Sequence, residues 1–304
     1  RDPEMSRGLG DVYKRQVFEN NHGTAPGAAL EKNGKCVIIL PGPPGELVPM
    51  FNESVRGFLK KYSDGAIVSH TVNIIGMGES SVAEEIEDMF DAKNPTVAPY
   101  AKSGEVRLRI TAKSETADDA DKMCAPVVDE ICSRLGDVVY GTDMNSIEER
   151  VVALLKEKGK KIATAESCTA GYIPKRLTDI PGASEVFECG IVSYSNDIKT
   201  KLLGVSPKTL ETYGAVSEQT AREMALGAKH VSGADIAIST TGLAGPGGDG
   251  VLPGGLSFAA VTDGERTVVE KIVTGHENDR EYNRYVTASR ALNLARLMLE
   301  EKMK

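Results

Sequence analysis

Tryptophan is absent from this chain, aromatic residues make up 5% of it, and only four histidines occur. A binder that stacks single-stranded bases on aromatic platforms is therefore disfavoured. Positive charge is also in deficit, 36 Lys and Arg against 44 Asp and Glu, for a formal net charge of −8. That balance argues against broad electrostatic capture of nucleic acid or anionic lipid, although a local basic site stays open. No run approaches the roughly 18 consecutive apolar residues of a membrane helix, and no opening segment looks like a signal peptide, so a cytoplasmic protein is expected. The five cysteines, Cys36, Cys124, Cys132, Cys168 and Cys189, include no C-x-x-C pair. A disulfide framework or zinc site is disfavoured accordingly.

What the chain does have is 31 glycines in 304 residues, a composition suited to an α/β protein with many tight loops. At roughly 100–200 residues per domain, the length predicts two or three domains. The first sixteen residues, RDPEMSRGLGDVYKRQ, join without pattern to the segment after them and read as a non-native leader, so that the natural N-terminus would be missing. Over 17–65 come a polar loop from Gly23 to Gly27, a strand from Cys36 to Leu40, a Gly/Pro loop from Pro41 to Glu46 and a helix from Leu47 to Lys61. This α/β fragment is too short to close a doubly wound sheet by itself. The next unit, 66–144, has the order β-α-β-β-α-β, which is ferredoxin-like. In it Arg107 and Arg109 alternate with Val106, Leu108 and Ile110, as on a sheet with one wet face. It carries no catalytic cluster.

From 145 to 304 strands and helices alternate, which predicts a three-layer α/β/α domain with a largely parallel sheet. Ser146 and Glu149 form a capping-box pattern ahead of its first helix. A strand over 161–166 runs into Glu166-Ser167-Cys168-Thr169-Ala170-Gly171 and then a helix to about Thr178. Hydroxyls at such a passage either bind phosphate together with helix amides or cap the helix, and spacing leaves both open. Cys168 is either a thiol nucleophile or an inert buried thiol. Gly182-Ala183-Ser184 and Ser193-Tyr194-Ser195-Asn196-Asp197-Ile198-Lys199 frame a strand whose ends could approach one pocket. A serine nucleophile needs a base, and a lysine of lowered pKa can serve; the plain alternative is a helix cap at Ser184 and a solvated Lys199. Gly245 to Gly250 matches G-x-G-x-x-G, but a strand follows where the dinucleotide fingerprint needs a helix, and that reading is rejected. Arg280 and Arg284, one turn apart at the start of the last helix, could clamp a phosphate or form surface ion pairs.

Six segments together, A-E-S-C-T-A-G (165–171), G-A-S-E-V-F (182–187), G-I-V-S-Y-S-N-D-I-K (190–199), G-A-V-S-E (214–218), T-G-L-A-G-P-G-G (241–248) and D-R-x-x-x-R (279–284), resemble the C-terminal domain of the CinA family. The segment 17–65, with GTAPG and LPGPPGEL, resembles the tail of the molybdopterin-binding-like (MogA/MoaB type) domain that precedes it in that family, and 66–144 corresponds to its linker domain. The resemblance implies hydrolysis of the carboxamide of nicotinamide mononucleotide to nicotinic acid mononucleotide and ammonia, in pyridine nucleotide salvage. It implies Ser184 as nucleophile, Lys199 as base and Tyr194 as proton-relaying or orienting partner. Ser167, Thr169, Thr241, Gly242 and Gly245 would line the nucleotide site and Arg280 would face the phosphate. Neither metal nor cofactor is implied, and the partners expected are the pyridine nucleotide substrate and a second copy in a homodimer, with no nucleic acid or membrane. Two other functions stay open: a non-catalytic nucleotide-binding protein of competence or damage responses, and a thiol amidase using Cys168. The family often has two glycines after C-T where this chain has Ala170-Gly171, which puts the loop geometry in question because alanine takes φ > 0 at a cost.

Overall fold

The fold is that of a computed structural model, which describes residues 14–62 and 64–303. The chain divides into two compact units, Arg1–Ala66 and Ile67–Lys304. In the first, β1 (Lys14–Phe18), β2 (Gly27–Lys32) and β3 (Lys35–Ile39) form an antiparallel sheet in that order. Of the expected leader, residues 1–13 lie outside the described residues, while Lys14 to Gln16 pair with Glu31 to Ala29. The Gly/Pro loop leads into α1 (Pro44–Met50), which continues through a wider turn over 51–55 into α2 (Arg56–Leu59). Pro44 stands at the start, where a missing N–H costs nothing. Phe18, Ala29, Met50, Val55 and Phe58 form the core of this unit.

The second unit begins with β4 (Ala66–Ile75), α3 (Glu79–Glu85), β5 (Thr96–Lys102), β6 (Glu105–Ser114), α4 (Ala117–Leu135) and β7 (Val139–Thr142). The sheet order β5-β6-β4-β7 is the split β-α-β arrangement expected from the element order. Alternate residues of β6, namely Val106, Leu108 and Ile110, face an apolar core with Val72, Ile74, Cys124 and Ile131. On the opposite face Arg109 and Lys113 are exposed, with Arg109 packed on the Tyr100 ring. Arg107 departs from the expected wet face. Its Nε donates to Asn73 at 2.7 Å and its Nη2 to the Asn145 carbonyl at 3.0 Å, so it ties β6 to the segment entering the next domain.

The remainder runs α5 (Ile147–Lys158), β8 (Ile162–Glu166), α6 (Tyr172–Thr178), β9 (Phe187–Val192), α7 (Asn196–Leu203), α8 (Pro207–Tyr213), α9 (Glu218–Ser232), β10 (Ile236–Gly242), β11 (Leu256–Thr262), β12 (Thr267–Val273) and α10 (Arg280–Leu299). Local chemistry starts the helices. Ser146, Ser195, Ser217 and Asp279 each accept an amide from the first turn of α5, α7, α9 and α10. Glu149 reaches past Ser146 to the Asn145 N–H, a shifted capping box.

The sheet order is β12-β11-β10-β8-β9; β10, β8 and β9 run parallel, and β11 and β12 extend them antiparallel because no helix separates the last three strands. One face carries α5 and α10, with Val151, Leu155, Ile162, Ile238, Ala291 and Leu292 in its core. The other carries α7 and α9 over Ala165, Ala237, Leu203 and Met224. Their contact is close: a Cβ on Gly227 of α9 would collide with the backbone at Leu203, the last residue of α7. From β8 the chain goes outward to β9 and then crosses back to β10 on the other side. That reversal opens a crevice beyond the carboxyl ends of these strands.

Candidate active site

The crevice is a cavity of about 320 Å3. Ser167 and Cys168 follow β8, Tyr194 and Lys199 follow β9, Thr241 and Gly242 end β10, and Gly245 and Arg280 close the rim. The centre is an amine on a hydroxyl: Lys199 Nζ lies 3.0 Å from Ser167 Oγ. Lys199 is 1% exposed and Ser167 9%. The amine also donates to the carbonyls of Ser193 and Tyr194, at 2.9 and 3.1 Å. Burial penalises the charged ammonium and lowers the Lys199 pKa from its ordinary 10.5. In the structure the amine donates to the Ser167 Oγ as well as to the two carbonyls; in its neutral form, with two N–H groups and one lone pair, it would instead be able to accept the hydroxyl proton.

The serine loop is held from both sides. Ser167 N–H donates to the Thr240 carbonyl at 3.0 Å, and Ala170 and Gly171, with φ of 49° and 87°, curl the chain into α6. The loop wraps the Glu166 carboxylate, which is fully buried and accepts the Ile173 N–H at 3.2 Å. Burial raises the Glu166 pKa, opposed by the Thr169 hydroxyl and the α6 amides. Ala170 thus takes the left-handed conformation, at a cost of about 1 kcal/mol.

The family model described as the CinA C-terminal domain matches residues 144–299, just over half of the chain. The chain belongs to the CinA family. A second CinA family model, the damage-inducible protein CinA KH domain, matches 69–141. A putative competence-damage inducible protein of Clostridium beijerinckii is 52% identical over 265 residues, 86% of this chain and 65% of that protein. A CinA-like protein of Desulfovibrio desulfuricans is 45% identical over 283 residues, 92% of this chain and 67% of that protein. The chain thus spans about two thirds of the length of these CinA relatives. Among solved structures, the competence/damage inducible protein CihA from Agrobacterium tumefaciens is 38% identical, with a TM-score of 0.49, covering 51% of this chain and 93% of that one.

Within this CinA C-terminal domain, the residues expected at the site fall into three groups. Ser167, Tyr194, Lys199, Thr241, Gly242, Gly245 and Arg280 line one cavity. Thr241 Oγ1 donates to the Ala215 carbonyl at 2.6 Å, and Arg280 Nη1 to the Gly245 carbonyl at 2.7 Å. Tyr194 is 62% exposed, and its contact with Lys199 is made by its main-chain carbonyl. Thr169 turns away instead: its hydroxyl meets that of Thr240 at 2.6 Å behind the loop.

Ser184 stands apart. It is exposed in the short turn Ala183–Glu185 that precedes β9, beside the Lys156–Glu185 ion pair. Lys199 follows the other end of that six-residue strand, which is about 20 Å long at ~3.3 Å per residue. The expected pairing of Ser184 with Lys199 is therefore not formed, and the hydroxyl beside the Lys199 amine is that of Ser167. Cys168 is nearly buried and its thiol pKa is pushed up to about 12 by desolvation, which leaves it protonated and unsuited to attack. Glu166 and the Ser193 carbonyl escaped sequence reasoning. β9 ends at Val192, and the Ser193 and Tyr194 carbonyls beyond it accept from Lys199.

Proposed function

We propose that this site hydrolyses the carboxamide of nicotinamide mononucleotide through a serine–lysine dyad, Ser167 and Lys199. The observation that carries the reading is the buried Lys199 amine at 3.0 Å from the Ser167 hydroxyl. The choice of substrate rests on the resemblance of the six motifs to the CinA C-terminal domain. Ser167 Oγ attacks the carboxamide carbon while Lys199 takes its proton. The tetrahedral intermediate expels ammonia, which receives that proton, and leaves an ester on Ser167. Water, deprotonated by Lys199, then attacks the ester carbon; the bond to Ser167 Oγ breaks, that oxygen takes the proton back from Lys199, and the free acid leaves. Arg280, with one nitrogen committed to Gly245, keeps its remaining donors for the phosphate.

Ammonia release from nicotinamide mononucleotide tests this directly. Ser167→Ala and Lys199→Ala each lose about 10^3-fold or more in kcat, and Ser184→Ala retains activity. Mononucleotide binding without turnover in the unmodified chain overturns the catalytic reading in favour of a binding protein. Activity lost in Ser184→Ala and kept in Ser167→Ala overturns the assignment of the nucleophile.

A further inference from the structure

The α+β domain carries no reactive cluster, yet one of its carboxylates is buried against the C-terminal domain. Glu105, at the start of β6, is 5% exposed and accepts hydrogen bonds from two tyrosines, Tyr140 of β7 at 2.9 Å and Tyr285 of α10 at 3.2 Å. Burying a carboxylate is costly unless donors meet both oxygens. Here each oxygen takes one phenol.

Tyr285 continues the path toward the site. Its ring meets the Tyr172 ring edge to face at 6.3 Å and the Arg176 guanidinium at 4.8 Å. Tyr172 and Arg176 lie one turn apart on α6, so the ring covers one face of that helix. Arg176 is itself fixed by Glu148 and Ser289, each at 2.8 Å. Next to Tyr285 on α10, Arg284 lies over the Tyr172 ring at 5.6 Å and donates to the Thr169 carbonyl at 2.7 Å. That same carbonyl accepts the Tyr172 N–H. It is the rear tie of the loop whose first residue is Ser167.

We infer that Glu105 of the α+β domain is a positioning residue for the nucleophile loop, acting through the Tyr285 ring on Tyr172 and Arg284. By pinning the phenol, Glu105 fixes the ring against α6 and keeps the α6 entry and the Thr169 carbonyl in register with Thr240. Glu105 touches no reacting atom. Its effect falls on how well Ser167 is aimed, hence on kcat and not on substrate affinity. This inference rests on Ser167 being the nucleophile only for its kinetic arm.

Two measurements on the full chain decide it. Amide hydrogen exchange over 167–173 is expected to accelerate in Glu105→Ala and in the milder Tyr285→Phe, with Tyr140→Phe, which removes the other phenol, unchanged. In parallel, kcat for the carboxamide falls about tenfold in the first two variants with KM within about twofold, and Glu105→Gln, which keeps one acceptor oxygen, recovers most of the loss. Unchanged exchange in both Glu105→Ala and Tyr285→Phe overturns the inference, as does an equal acceleration in Tyr140→Phe. A chain that shows the exchange pattern but no turnover leaves the coupling standing and removes the proposed reaction instead.

Discussion

The two sheets of the second unit use polar residues in opposite ways. In the α+β domain the buried side chains are apolar apart from Asn73 and Glu105. In the C-terminal domain the strands that meet at the crevice bury Thr164, Glu166, Ser167, Ser239, Thr240 and Thr241 at their carboxyl ends. Among the described residues, the buried side-chain atoms without a hydrogen-bond partner are Thr164 Oγ1, Glu166 Oε1, Ser193 Oγ, Arg284 Nε and Arg290 Nε, all in the C-terminal domain. Each such group costs about 1–3 kcal/mol. One sheet spends its interior on cohesion, the other gives up part of that cohesion to hold an amine and a hydroxyl out of water.

Exchanging the two strategies breaks the comparison most sharply at Lys199. Lys199→Met keeps the volume and removes the base, so kcat/KM drops by about 10^3-fold or more while circular dichroism keeps the native spectrum; near-normal turnover would deny the lysine its role. Leu108→Ala, in the apolar core, is expected to cost about 2–5 kcal/mol in denaturant unfolding, and a loss below about 0.5 kcal/mol, the scale of an ordinary surface change, would show that this sheet does not depend on cohesion. The pH profile comes next. A base acts when neutral, and burial lowers the Lys199 pKa, so kcat/KM rises about tenfold per pH unit to a plateau reached below the ordinary lysine value of 10.5. A limb still rising at that value would mean a solvated amine.

The α+β domain also holds a half-buried histidine, His70, between Asp143 at 2.6 Å and Asp121 at 2.9 Å. The hydrogen bond to Asp143 is the main cause raising its pKa above 6.5. A raised folded-state pKa gives stability that is present below 6.5 and lost as pH climbs through the folded value. His70→Gln should flatten that dependence by about 1 kcal/mol, as thermal melts across the range will show. The smallest effect is at the loop. Ala170→Gly relieves the left-handed alanine and adds less than about 1 kcal/mol; a lower melting temperature would contradict the strain.

Most of the fold could be read from local chemistry. The capping pattern at Ser146 and the alternation in β6 both act between near neighbours. α8 was not legible, although Ser206-Pro207 opens it, because its seven residues are too few for a clear period. The site was legible as a set of lining residues and not as a pairing. Ser167 and Lys199 are 32 residues apart, and their meeting depends on where β9 stops and on α7 turning its lysine inward. Neither the Ser184 motif nor the Lys199 motif encodes that distance.

Gly227 gives the dyad its remotest requirement. It bears no reactive group and sits on the far helix, yet the room it leaves is where α7 ends, one turn after Lys199. A methyl there would lever the helix outward and draw the amine off the hydroxyl without altering any atom of either. The placing of the Lys199 amine is thus inherited through a hydrogen atom, and a survey of reactive side chains would pass over the position that keeps it in range of the hydroxyl.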